Sequence, residues 1–144
     1  MRPNSDSEQL HFIDSNVFLY AKIMDAQYGP SCAEIVRKVH GGKVAAATSV
    51  LVALEVANAL RKFGLTREVK DTVDSIFSLE IMILDMNSSD IRDAIDIFHR
   101  HHISPYDCAH VAVMKRAEIK NIISADRDFD HVPEVKRRDP RLFV

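Results

Sequence analysis

The sequence lacks the features of an exported, membrane-spanning or disulfide-stabilised protein. It has only two cysteines, Cys32 and Cys108, and neither lies in a cluster with zinc-ligand spacing. We expect both to be small buried apolar residues in a reducing compartment. No apolar run approaches the length of a membrane span, and residues 1–8 are polar, without the apolar core of a signal peptide. The sequence therefore predicts a cytoplasmic protein, outside the membrane, with a flexible segment at residues 1–8.

An excess of positive charge is also missing. The chain has 19 Lys and Arg against 21 Asp and Glu, which gives a formal net charge of −2. This balance argues against a wholesale electrostatic grip on nucleic acid, but it leaves open local basic patches or a site bridged by a cation. Internal repeats and low-complexity segments are absent. The 144 residues, 47% of them hydrophobic, suit a single domain over residues 1–144 with an ordinary core.

Short apolar runs alternate along the chain with amphipathic helical patterns. Capping residues before each helix and glycines after several of them mark the boundaries. A last edge strand fits within residues 128–144, at a position that the pattern does not define. The alternation predicts an α/β fold, a three-layer α/β/α sandwich with a mostly parallel central sheet of four to five short strands. The predicted strands are residues 10–13, 43–47, 81–84 and 122–125, and the predicted helices are residues 17–24, 32–40, 50–63, 67–79, 88–101 and 105–118.

A helix and a strand within residues 104–126 each carry a carboxylate at one end. Ser104 suits a helix N-cap, Pro105 suits the first helical position, and Asp107 falls in the first turn. Asp126 follows the strand, where ligands of parallel sheets gather. Structural roles stay open, because Ser104 and Asp107 match a capping box and Asp126 suits a turn.

Three of the four predicted strands lead into an aspartate, namely Asp14, Asp85 and Asp126. Because the carboxyl ends of parallel strands meet at one edge of the sheet, these side chains would repel and raise one another's pKa values. A bound cation relieves such repulsion, and an all-oxygen cluster selects Mg²⁺ or Mn²⁺ over zinc or copper. Such ions activate water and stabilise charge on a phosphodiester. The pattern therefore predicts a metal-dependent phosphoryl site.

Glu55 is ambiguous from its spacing. It shares a helical face with Asn58 and Lys62, and this spacing alone favours the solvated stripe of an amphipathic helix. The preceding residues 50–54 are apolar almost all round, which is typical of a deeply buried helix or a subunit interface. Together with the apolar residues around Phe18 in the first helix, including Tyr20, this surface predicts a homodimer.

Four segments resemble the motifs of the PIN-domain family, in the family's order and over nearly the whole chain. Residues 12–17 (FIDSNV) resemble the opening motif, and residues 51–60 (LVALEVANAL) resemble the second, which is centred on an acid in a helix. Residues 104–112 (SPYDCAHVA) and 124–129 (SADRDF) resemble the third and fourth. Each motif is weak alone, but the combination is specific. The closest resemblance is to VapC-type toxins of toxin–antitoxin pairs.

The resemblance implies a metal-dependent endoribonuclease with Mg²⁺ or Mn²⁺, an RNA substrate, a homodimer and a cognate antitoxin protein. It raises Glu55 from solvated stripe to site residue, and it sets aside Asp85, which matches no motif. The carboxylates that carry over as catalytic and metal-binding residues are Asp14, Glu55, Asp107 and Asp126. Asn16 and Ser124 match supporting positions, Asp128 and Asp130 match more loosely, and Arg127 is the candidate RNA contact.

Two other clusters have ordinary explanations. The histidines at positions 99, 101 and 102 suit a helix C-terminus, and no neighbouring acid or cysteine completes a zinc site. The basic run at residues 136–138, with Arg141, is either solvated or in contact with RNA phosphates. Two alternative functions remain: a PIN-like RNA-binding or scaffold protein with little or no turnover, and a phosphatase or receiver-type domain. The latter needs a second acid beside or two residues after Asp14, where Ser15 and Asn16 stand.

Overall fold

A computed structural model describes residues 9–143, so the expected flexibility of residues 1–8 lies outside the described residues. Five strands form one sheet, and seven α-helices surround it, with 3-10 turns at Thr66–Glu68 and Arg127–His131. The strands are β1 (His11–Ile13), β2 (Ala46–Ser49), β3 (Met82–Leu84), β4 (Asn121–Ile123) and β5 (Lys136–Arg138). The helices are α1 (Ser15–Ile23), α2 (Gly29–His40), α3 (Val50–Lys62), α4 (Val69–Phe77), α5 (Ser88–His101), α6 (Pro105–Arg116) and α7 (Pro140–Phe143).

The sheet is parallel throughout, with the strand order β3-β2-β1-β4-β5. All three residues of β1 are buried. Because successive side chains of a strand point to opposite faces, helices must cover both sides of the sheet at its centre. The three-layer α/β/α prediction is therefore confirmed. Among residues 9–143, no helix combines the length and apolar character needed to cross a bilayer.

Several boundaries differ from the sequence-based predictions for local reasons. Strand β2 begins at Ala46 and includes Thr48 and Ser49, because these two residues pair in parallel with Ile83 and Leu84 of β3. Ser49 still caps α3, since its Oγ accepts from the Val52 amide at 3.3 Å. The predicted helix 67–79 is divided into a 3-10 turn followed by α4. The unplaced edge strand is β5, which pairs with β4.

The first helix does not present the apolar surface that was expected of it. Phe18 is buried in the core, and Tyr20 stacks on Tyr28 with ring centroids 5.5 Å apart. In α3, by contrast, Leu54 remains 67% exposed and Val50 38% exposed. The apolar surface that motivates the homodimer prediction therefore comes from α3 rather than α1. Both cysteines are buried and unpaired, as expected.

Candidate metal and nuclease site

The candidate site lies where β1 and β4 end side by side. The two strands pair in parallel, with Ile13 opposite Ile123, so the residues that follow them leave the sheet at the same edge. Strand β1 lies between β2 and β4 in the sheet, so the chain adds β2 and β3 on one side of β1 and β4 and β5 on its other side. Such a reversal of strand order opens a crevice at the carboxyl ends of the strands, where ligands bind in open α/β sheets.

Asp14 lies at the bottom of this crevice and is 3% exposed. Its Oδ1 accepts from the Ser15 amide at 2.8 Å, which caps α1. Its Oδ2 accepts from the Ser124 hydroxyl at 2.6 Å and from Asn16 Nδ2 at 3.1 Å. Burial raises the pKa of the Asp14 carboxyl above its usual value, although His110 and the Ser124 hydrogen bond act in the opposite direction.

Ser124 and Asn16 join the ends of the two strands. Asn16 donates from Nδ2 to Ser124 Oγ at 3.0 Å and accepts from the Ala125 amide at 3.1 Å. Ser124 Oγ also accepts from the Asp126 amide at 3.0 Å. These hydrogen bonds connect Asp14 and Asp126 in one network. The motif resemblance implies such a supporting role for Asn16 and Ser124.

Asp107 brings α6 to the same crevice. Its carboxylate forms one group with Asp14 and His110 and another with Asp126 and Asp128, and in each group one ligand atom per residue lies within 4.8 Å of the others. Burial, followed by the charges of Asp14 and Asp126, raises the pKa of Asp107 to about 8, against the opposing effect of His110.

A capping box does not account for Asp107. Ser104 Oγ accepts from the Tyr106 amide at 3.2 Å, and the helix shows none of the reciprocal bonding that joins Asn87 and Asp90 at the start of α5. The described structure therefore leaves the Asp107 carboxylate facing other acids.

Asp126 serves the local turn and also faces the crevice. Its Oδ1 accepts from the Asp128 amide at 2.9 Å and caps the 3-10 turn. Only one carboxylate oxygen is needed for that cap, so the other can serve as a ligand. Asp128 is exposed and lies at the edge of the acidic cluster. Asp130 points to a different partner, because both of its oxygens accept from Arg137.

Glu55 belongs to neither of these two groups, and it contacts the site through a histidine that the sequence motifs did not single out. His110 Nε2 lies 2.7 Å from Glu55 Oε1 and 3.9 Å from Asp14 Oδ1. Asn58 and Lys62 are exposed, as the solvated-stripe interpretation predicts for their face. Glu55 is only 25% exposed in its side chain. The available signal was the position of His110, one helical turn after Asp107.

Opposing effects act on the imidazole of His110. Burial disfavours its charged form, but the hydrogen bond to Glu55 and the charge of Asp14 outweigh that effect and raise the pKa of His110 above its ordinary value. The positive charge of the protonated imidazole therefore offsets part of the negative charge of the surrounding carboxylates.

Other candidates lie elsewhere. Asp85 follows the edge strand β3, and β2 lies between β3 and β1. At the usual spacing of two strands, the end of β3 is about 10 Å from the end of β1, where Asp14 lies. Within the basic tail, Arg137 donates to the Ser124 carbonyl at 3.0 Å, and Arg141 pairs with Asp139 at 2.9 Å. Arg127 is exposed next to Asp126. The tail thus contributes more to structure than its charge alone suggests.

The donor set fits a hard divalent cation. The clustered groups are mainly carboxylates, which are the ligands that Mg²⁺ and Mn²⁺ prefer. Burial and then the charges of Asp14 and Asp126 raise the pKa of Asp107, and a bound cation offsets both effects because it stabilises the charged carboxylate.

Comparison with known proteins agrees with this architecture. The PIN domain family model matches residues 11–135. The ribonuclease VapC13 of Mycobacterium tuberculosis and a VapC ribonuclease of Mycobacterium bovis are each 24% identical to the chain over 126 residues, covering 87% of the chain and 96% of the relative.

Solved structures show the same fold at low sequence identity. The Mycobacterium tuberculosis toxin VapC20, described as cleaving the Sarcin-Ricin loop, superposes with a TM-score of 0.73 at 16% identity, covering 87% of this chain and 95% of that one. VapBC2 of Rickettsia felis, bound to a DNA fragment of its promoter, superposes with a TM-score of 0.68 at 13% identity, covering 90% and 98%. The match of the family model over residues 11–135 shows that the chain belongs to the PIN domain family, which the resemblance of the four motifs predicted.

Proposed function

We propose that this protein is an Mg²⁺- or Mn²⁺-dependent endoribonuclease and the toxin of a toxin–antitoxin pair. The observation that carries the proposal is the acidic cluster at the ends of β1 and β4, where Asp107 forms one group of possible metal ligands with Asp14 and another with Asp126, and Glu55 adjoins it through His110. Asp14 follows β1, Glu55 comes from α3, Asp107 from α6, and Asp126 follows β4. A fold that accepts this repulsion gains stability and chemistry when a cation binds between them.

Each acid has a stated role in this proposal. Asp14, Glu55, Asp107 and Asp126 hold the cation, which supplies Lewis-acid polarisation of the phosphate and an activated water. Ser124 and Asn16 keep Asp14 oriented through the short hydrogen bonds described above. Arg127, exposed at the rim, contacts an RNA phosphate.

The relatives support the substrate and the partner. The two matched mycobacterial proteins are named as ribonucleases, and one structure of the same fold is a toxin–antitoxin complex from Klebsiella pneumoniae. We therefore propose RNA as the substrate and a cognate antitoxin as the binding partner. Homodimerisation through the exposed apolar residues of α3 completes the proposal.

The substitution Asp107→Asn tests the site most sharply. An Asn keeps the shape and can accept a hydrogen bond at the helix terminus, so a structural Asp107 would tolerate it. A metal ligand would not, and we expect RNA cleavage to fall on the order of a hundredfold or more. The measurement is Mg²⁺- or Mn²⁺-dependent cutting of an RNA panel, with far-UV circular dichroism as the folding control.

A matched control separates charge from position. Asp93 is an exposed aspartate on α5, and Asp93→Asn should cut RNA at the wild-type rate. A folded Asp107→Asn protein that also cuts at the wild-type rate would contradict the site. RNA binding without cutting by the wild-type chain would favour an RNA-binding or scaffold function, and phosphate release from small phosphoesters alone would favour a phosphatase.

A further inference from the structure

His110 occupies a buried position between the elements that carry three of the acids. It lies on α6, one turn after Asp107, and is fully buried. Its ring centroid is 5.5 Å from that of Phe12, which belongs to β1 two residues before Asp14. Its acidic neighbours include Glu55 on α3, 2.7 Å from Nε2, and Asp14, 3.9 Å from Nε2. The imidazole is therefore held by packing on one side and meets the acids with its Nε2 edge.

The contact with Glu55 has the length of a charge-assisted hydrogen bond. The Nε2 to Oε1 distance is 2.7 Å, shorter than the usual 2.9–3.0 Å of N–H···O bonds. A carboxylate has no hydrogen to donate, so Nε2 carries the hydrogen and donates it. The other nitrogen, Nδ1, is buried without a hydrogen-bond partner among residues 9–143. The shortest polar contact that the structure shows for this imidazole is therefore with Glu55, and Asp14 Oδ1 lies 3.9 Å from the same Nε2.

Without this bond, Glu55 would have little reason to enter the site. Its helical neighbours at the same face, Asn58 and Lys62, are exposed. A glutamate side chain has three rotatable bonds, and fixing it costs rotamer entropy. The fixed imidazole offsets that cost and engages one carboxylate oxygen, so the second oxygen remains available as a ligand.

We infer that His110 is a positioning residue that turns Glu55 into the acidic cluster, so that the four acids bind a divalent cation as one set. The inference rests on the proposed metal-dependent function. His110 is itself close enough to Asp14 and Asp107 to share a metal ion with them, since one ligand atom of each lies within 4.8 Å of the others. Direct ligation, however, would require Nε2 to release the hydrogen that it donates to Glu55, and nitrogen is a poorer ligand than oxygen for Mg²⁺ and Mn²⁺.

Two substitutions that differ by one methylene test this role. In His110→Gln, the side-chain amide extends about as far as Nε2 and can still donate to Glu55, whereas the shorter amide of His110→Asn cannot. We expect His110→Gln to bind Mn²⁺ with an affinity near that of the wild type. We expect His110→Asn to lose about 10–100-fold in affinity, the usual loss when a group that orients a metal ligand is removed. Isothermal titration calorimetry of the full chain with Mn²⁺ measures both, and His99→Gln, on the exposed face of α5, is the control.

A double-mutant cycle shows whether His110 acts through Glu55. In a Glu55→Gln background, His110→Asn should cause no further loss, because the group that it positions is already altered. Electron spin-echo spectra of the Mn²⁺-loaded wild type should show no directly coordinated nitrogen. If circular dichroism shows that His110→Asn is unfolded, His110→Leu, which lacks a donor at similar volume, replaces it in the cycle.

Three outcomes would overturn the inference. One is wild-type Mn²⁺ affinity in folded His110→Asn or His110→Leu. A second is a loss that persists in full in the Glu55→Gln background, or a nitrogen coupling that disappears in His110→Gln, since either makes His110 an independent ligand. The third is a wild-type chain that binds no Mn²⁺, which contradicts the metal site itself and, with it, the role of His110.

Discussion

The Ser124 hydroxyl makes three hydrogen bonds in the crevice. It donates to Asp14 Oδ2 at 2.6 Å, and it accepts from Asn16 Nδ2 and from the Asp126 amide, both at 3.0 Å. Ser124 is fully buried, so water cannot replace these bonds if the hydroxyl is lost. A fully satisfied buried network of this kind specifies a single arrangement of its members.

We predict that Ser124→Ala weakens both the fold and the metal site. The substitution leaves the Asp126 amide without its acceptor and frees Asp14 to rotate. The free energy of unfolding should fall by about 1–3 kcal/mol, the cost of leaving a buried polar group unpaired. Mn²⁺ affinity should fall about 10–100-fold. Urea unfolding and calorimetry measure the two effects.

Ser75→Ala is the matched control for this prediction. The Ser75 hydroxyl donates to the Thr72 carbonyl within α4, on an exposed part of the chain. Its loss should leave Mn²⁺ affinity unchanged. If Ser124→Ala binds Mn²⁺ as tightly as this control, the hydroxyl does not support the site.

Among the contacts between helices, Asp90 connects the start of α5 to the end of α6. It closes a capping box with Asn87 at the start of α5. It also accepts two hydrogen bonds from Arg116 at the end of α6, at 2.8 and 3.0 Å. Asp90 is 1% exposed, and the Arg116 hydrogen bonds hold the pKa of its carboxyl below the usual value. Since α6 carries Asp107, this connection also helps to place a site helix.

We predict that Asp90→Ala lowers the free energy of unfolding in a pH-dependent way. At pH 7 the loss should be on the order of 1–3 kcal/mol, from the cap and the charged hydrogen bonds. Because the folded-state pKa is depressed, the electrostatic part is complete above the unfolded pKa of about 3.9 and disappears as pH falls through the lower folded value. Urea unfolding between pH 3 and 7 should therefore show a gap to wild type that narrows below pH ~4.

The exposed Asp93 of the same helix provides the comparison for the pH series. Asp93→Ala should leave stability nearly unchanged, within about 0.5 kcal/mol. A gap between Asp90→Ala and wild type that stays constant from pH 7 to pH 3 would show that the charge of Asp90 contributes nothing.

For the molecule as a whole, the exposed apolar surface on α3 and α4 bears on its oligomeric state. Leu54 and Val50 of α3 border a groove together with Phe77 of α4, which is 50% exposed. Neighbouring exposed apolar side chains of this size are typical of a protein interface. This surface motivates the homodimer.

We predict that the protein is a dimer and that Leu54→Glu dissociates it. A charge at this position must be desolvated on association, which disfavours the interface. Light scattering at tens of micromolar (about the range in which weak interfaces dissociate) measures the mass. Leu142→Glu is the control, because Leu142 is 84% exposed on α7. A wild-type monomer, or a Leu54→Glu dimer, would count against this interface.

We also predict that Mg²⁺ or Mn²⁺ stabilises the whole fold. A ligand that binds only the folded state adds about 2.7 kcal/mol at a hundredfold excess over its Kd. The melting temperature should therefore rise with millimolar-scale Mn²⁺ in the wild type, and less so in Asp14→Asn and Asp126→Asn. Without a cation Asp126→Asn should raise the melting temperature, because it removes repulsion and keeps an oxygen for the cap of the 3-10 turn. Asp14→Asn should not raise it, because an amide cannot accept at both positions where Asp14 now accepts. No response to Mg²⁺ or Mn²⁺, with an unchanged or lower melting temperature in Asp126→Asn, would contradict the cation site.

Local patterns in the chain were sufficient for the order of the elements and for most of the acids. Strong apolar runs, caps and glycine stops act over a few residues, so α3, α5 and the first four strands were predictable from their own sequences. Asp14 and Asp126 could be named because a carboxylate after a parallel strand has a defined direction of exit. The motif resemblance added Glu55, which spacing alone had placed in the solvated stripe.

Tertiary structure decided which of these groups meet. Asp85 follows a strand as Asp14 does, but the order β3-β2-β1 keeps it away from the crevice, and strand order is a long-range property. Strand β5, made of Lys136, Arg137 and Arg138, has no apolar pattern and forms because β4 offers it a hydrogen-bonding edge. His110 could not be distinguished from a core histidine until α3 and α6 were placed side by side. Its imidazole then lies 2.7 Å from Glu55, and that contact between residues 55 positions apart in the chain turns a surface acid toward the site.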